Sequence, residues 1–86
     1  MRILIIAATA TELRETTPWP VPENHTIETL VTGVGLLSSA ISIIKRINSQ
    51  KPDLAIQIGI AGSLSDSLPI GGAVVVKSER VGDLGV

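Results

Sequence analysis

Four short apolar runs and only one long amphipathic segment limit what this chain can fold into. The runs are residues 2–8 (RILIIAA), 26–32 (TIETLVT), 53–58 (DLAIQI) and 73–77 (AVVVK). Their length, apolar content and flanking glycines and prolines predict strands. The first would sit centrally in a sheet, and the third suits a strand covered on both faces. Residues 36–50 predict the one clear helix: Leu36, Leu37, Ala40, Ile41, Ile44 and Ile47 form an apolar stripe at helical spacing, and Pro52 stops it. Residues 9–16 predict a brief helix capped by Thr9 or Thr11, and Pro18, Pro20 and Pro22 make residues 17–24 a loop. The order of strands and helices indicates an α/β chain with at least one βαβ crossover. A sheet buried on both faces needs helices on both faces. One long helix leaves two readings open: the first part of a larger domain, or a chain that buries one face against a partner.

Composition excludes several classes. Net charge is −1 with acids and bases interspersed, which gives no electrostatic case for nucleic acid or an anionic membrane. There is no cysteine, so disulfide and thiolate-metal chemistry are out, and the chain reads as cytoplasmic. No run is long enough to span a bilayer as a helix. Acids and His25 show no metal-ligand spacing, and no metal or cofactor is expected. Trp19 is the only aromatic residue, so the core must be built from Ile, Leu, Val and Ala.

The candidate site lies where the strands end. In an open α/β sheet, ligands sit beyond the carboxyl ends of the strands. Three stretches reach that edge: Glu12 after the first run, Gly33-Val34-Gly35 after the second, and Gly59-Ile60-Ala61-Gly62 after the third. Glu12 can serve as a general base there; its plainer reading is an acid favoured at a helix start. Gly33-Val34-Gly35 suggests a dinucleotide fingerprint, but Ser38 stands where its third glycine belongs, and no acid comes after the next strand. What survives is a set of glycine-exposed amides at a helix start. His25 sits in a proline-rich loop with no pattern linking it to a serine, and takes no catalytic role.

Taken together, RILIIAATATEL (2–13), VTGVG (31–35), PDLAIQIGIAGSL (52–64) and LPIGGAVVVKSERVGDLG (68–85) resemble the N-terminal part of the nucleoside phosphorylase/nucleosidase family. Within it the short path to TGVG and the ending ERVGDLG look most like futalosine hydrolases, nucleosidases of an alternative menaquinone pathway. Methylthioadenosine/S-adenosylhomocysteine nucleosidases and purine nucleoside phosphorylases are the alternatives. The resemblance implies a three-layer α/β sandwich around a mixed central sheet. Residues 1–86 would be the N-terminal segment of a single domain, incomplete at its C-terminal end. It also implies roles: Glu12 orients or deprotonates the attacking water, Val34 and Gly35 line the sugar side, and Ile60, Ala61 and Gly62 pass close to ribose and base. The phosphorylase branch carries a basic residue and a hydroxyl where this chain has Gln57 and Ile60, which favours water over phosphate as nucleophile. Gly72 stands where relatives often have an acid. The family's leaving-group aspartate and ribose-gripping glutamate would come after residue 86, so this stretch alone is expected to be inactive. The expected partners are a purine nucleoside and further copies of the chain. A different class of reading, a non-catalytic unit that self-associates, rests on the exposed apolar surface that a single helix leaves.

Overall fold

The computed structural model describes residues 1–82. Asp83 to Gly85, the end of the last family-like stretch, lie outside the described residues. Within them the chain is a small α/β unit with a three-stranded parallel sheet. Strand β1 spans Arg2–Ala7, helix α1 Ala10–Arg14, strand β2 Thr26–Val31, helix α2 Leu36–Ser49 and strand β3 Leu54–Gln57. The sheet order is β2-β1-β3. β1 pairs β2 from Arg2 beside Thr26 to Ala7 beside Val31, and pairs β3 from Ile3 beside Leu54 to Ile6 beside Gln57.

As expected, the N-terminal run is central. Flanked on both sides, it supplies the buried apolar core of Leu4, Ile5, Ile6 and Ala7, with Leu4 only 1% exposed. Residues paired in a parallel ladder share a face. Leu4 therefore lies with Glu28 and Ala55, and Ile5 with Thr29 and Ile56. Helix α2 crosses the Leu4 face, where Arg46 pairs with the Glu28 carboxylate and Arg2 Nε lies 3.1 Å from its other oxygen.

Three expectations about the sheet are corrected. β3 is an edge strand and exposed along its length, not covered on both faces, because a strand with one neighbour keeps one side open. Residues 73–77 form no strand among the described residues; the turns after Ser63 do not bring them to a sheet edge, and a strand without a ladder partner is only extended chain. The sheet of the described residues is parallel throughout, so nothing in it is mixed.

A fourth correction concerns α2, whose apolar stripe does not face the sheet. Leu36, Leu37, Ile41 and Ile44 are exposed, while Ser39, Ser42, Ile43 and Arg46 form the half-buried side. The reason is polar. Ser38 Oγ and Ser42 Oγ donate to Thr32 O at 2.7 and 3.3 Å, and Ser39 Oγ meets the buried Thr32 hydroxyl at 3.2 Å. Arg46 adds its Glu28 pair lower down the same side. These contacts turn the helix about its own axis. Gly33 makes them possible: it has φ +81°, and a Cβ there would lie 2.8 Å from Ser38 Oγ.

The amino edge of the sheet is tied separately. Arg2 N–H donates to Asp53 Oδ2 at 2.6 Å, and Asp53 N–H donates back to Arg2 O at 2.8 Å. The terminal amine of Met1 donates to Asn24 O and lies 3.0 Å from His25 Nδ1.

Candidate functional site

Glu12 becomes a defined group through its local sequence. Thr9, in extended conformation (φ −132°, ψ 153°), caps α1. Its Oγ1 accepts from Glu12 N–H at 3.3 Å and donates to Glu12 Oε1 at 2.8 Å. The Thr-x-x-Glu spacing is the capping-box pattern, here closed through the threonine hydroxyl instead of its backbone amide. That pattern stands in the sequence at residues 9–12, and is the legible sign that Thr9 orients Glu12.

The second anchor is distant in sequence. Because β1 and β3 run parallel, α1 and the residues after Gln57 emerge at the same edge. Ile60 N–H donates to Glu12 Oε2 at 3.0 Å. Gly59 allows the approach: a Cβ built there would lie 2.9 Å from Oε2. Gly59 is not in the left-handed region, so space alone constrains it.

Each carboxylate oxygen thus spends one acceptor site on a neutral donor and keeps one. Neither donor is a cation, so the carboxylate is fixed in position without its charge being neutralised. Beside it opens a shallow recess of about 140 Å³, lined by Thr11, Glu12, Glu15, Thr16, Ile58, Gly59 and Ile60. Half-buried, fixed and bordered by apolar surface, Glu12 has the arrangement needed to accept a proton from a bound water.

No family model, curated protein or solved structure matches this chain.

Of the residues singled out in the sequence, the structure brings Glu12 and Ile60 into contact, through the Ile60 backbone. The Ile60 side chain is 88% exposed. Val34 and Gly35 lie at the same sheet edge, after β2 and at the start of α2, with Gly35 at φ +108° as its N-cap. Val34 is exposed and, like Gly35, Ala61 and Gly62, does not line the recess beside Glu12. Thr11, Glu15, Thr16 and Ile58 line it without having been singled out. His25 stands at the opposite, amino edge beside the Met1 amine, which separates it from Glu12. Among the described residues no cluster of three or more His, Cys, Asp or Glu could hold a metal, and no helix is long and apolar enough to cross a membrane.

A substitution tests the close approach at Gly59. In Gly59→Ala the methyl group must displace the Glu12 carboxylate from the Ile60 amide. A hydrogen bond to a charged group contributes about 1.5–3 kcal/mol, so the Ile60 amide is expected to exchange with solvent roughly tenfold faster or more. Amide exchange followed by NMR checks this, and an unchanged Ile60 rate would show that the contact does not hold Glu12.

Proposed function

We infer that this chain supplies the water-activating side of a purine nucleosidase, of the futalosine hydrolase kind. The observation that carries the reading is the fixed Glu12 carboxylate, held between Thr9 Oγ1 and Ile60 N–H at the carboxyl edge of a parallel sheet, with acceptor sites free beside an apolar recess. The ordered series of four family-like stretches adds the substrate class. The finer fold that goes with it is a three-layer sandwich whose sheet becomes mixed by further strands, and the setting is cytoplasmic.

In this reading Glu12 takes a proton from water as its oxygen bonds to C1′ of the nucleoside. The C1′–N bond breaks, and its electron pair leaves with the purine, which must itself be protonated. The sugar carries positive charge in between, and a nearby carboxylate favours that charge. Val34, Gly35, Ala61 and Gly62 would border the sugar and base. The group that protonates the purine and the glutamate that grips the ribose hydroxyls would come from residues after 86. Gln57 and the Ile60 side chain provide no cation or hydroxyl for phosphate, so water is the nucleophile.

The test is an assay of the product of the complete reading frame that carries this sequence. Futalosine, methylthioadenosine and inosine are offered with and without phosphate. Release of hypoxanthine from futalosine without phosphate is the expected result. Strict phosphate dependence would overturn the hydrolase reading, and preference for methylthioadenosine would move it to the sister nucleosidases.

A further inference from the structure

The outer side of β3 is an open sheet edge. Ile58 N–H is spent on Ile6 O, and the alternation of a parallel ladder turns Leu54 and Ile56 toward β1 in the same way. Ala55 and Gln57 therefore direct their backbone N–H and C=O outward. Among the described residues no strand meets them. An edge of this kind is a template for a further strand.

The same chain carries a segment suited to it. Residues 73–77, AVVVK, hold three consecutive β-branched side chains, which favour extended backbone. They enter no ladder among the described residues, and Val75 is 98% exposed.

Laid antiparallel, the two match. With Val75 opposite Ala55, Ala73 falls opposite Gln57 and Lys77 opposite Asp53. Val74 and Val76 fall opposite Ile56 and Leu54, and so extend the sheet face that carries Ile3 and Ile5. The charges select this orientation: antiparallel pairing sets Lys77 against Asp53, whereas a parallel pairing over the same residues sets Lys77 against Gln57. Opposite charges facing each other across strands are stabilising.

Within one chain the segment stays off that edge. We propose that residues 73–77 of one copy add as an antiparallel strand to the β3 edge of a second copy. Exchange in both directions closes a two-fold dimer and leaves neither β3 with an open outer edge. The proposal is independent of the role of Glu12.

Sedimentation of the chain across a concentration series tests it, together with amide exchange. The expected result is a concentration-dependent dimer in which the Ala55, Gln57 and Val75 amides become protected as the dimer forms. Val75→Pro removes a central ladder donor at a position that is unpaired in the single chain, so the fold is left intact. It is expected to raise the dimer dissociation constant at least ~10-fold. Ile41→Lys on the exposed side of α2 is expected to leave that constant unchanged. Three results would overturn the proposal: a monomer at every concentration, whether or not those amides are protected; association that Val75→Pro leaves intact; or growth past the dimer without limit.

Discussion

Glu12→Gln is expected to lower kcat by ~10²–10⁴-fold in the product of the complete reading frame, the range that general-base catalysis typically contributes. Glutamine keeps the size of the side chain, and its amide oxygen can still accept from Ile60 N–H or from the Thr9 hydroxyl. What it cannot do is take a proton from water. Substrate binding should change little, because the partner assigned to Glu12 is the water. Steady-state kinetics with a single-turnover measurement separate the two effects. If Glu12 serves only as a capping acid, the substitution costs about 1 kcal/mol of stability or less and leaves kcat near wild type. A kcat loss below ~10-fold in a folded variant rejects the base assignment. Residues 1–86 by themselves are expected to show no turnover with either side chain, since no group in this reading protonates the purine.

The second large effect is on stability. Leu4→Ala is expected to cost about 2–5 kcal/mol, measured by chemical denaturation, because Leu4 is the largest fully buried side chain and the core around it is small. Little of that loss can be recovered by collapse: β1 is held by ladders on both sides, so its backbone cannot move in to fill the space. Leu37→Ala is the control. Leu37 belongs to the apolar stripe of α2 but is exposed, so its removal should change stability by about 0.5 kcal/mol or less. Equal losses at the two positions would mean that the stripe is covered and that α2 is rotated differently.

The contrast between Leu4 and Leu37 separates what periodicity can say from what it cannot. Apolar runs bounded by prolines and glycines place β1, β2, α2 and β3 in order and nearly to their ends, because those signals are local to the backbone. The central position of β1 is legible in its continuous apolar character. The stripe on α2 shows that the helix has an apolar side, but not which side meets the sheet. That was decided by the Thr32 carbonyl and the Glu28 carboxylate, which draw in Ser38, Ser42 and Arg46 from as far as 18 positions away. Likewise AVVVK has the composition of a strand, yet a strand exists only where a second backbone completes its ladder, and composition does not encode the neighbour.

The candidate site divides in the same way. Thr9 and Glu12 are three positions apart, and their pairing is written into the sequence through the geometry of a helix's first turn. Glu12 and Ile60 are 48 positions apart. Only the parallel registry of β1 with β3 carries both to one edge, and only the missing side chain of Gly59 lets the carboxylate reach the amide. No pattern along the chain states that contact, because it depends on two strands meeting through hydrogen bonds between backbones that are alike at every residue.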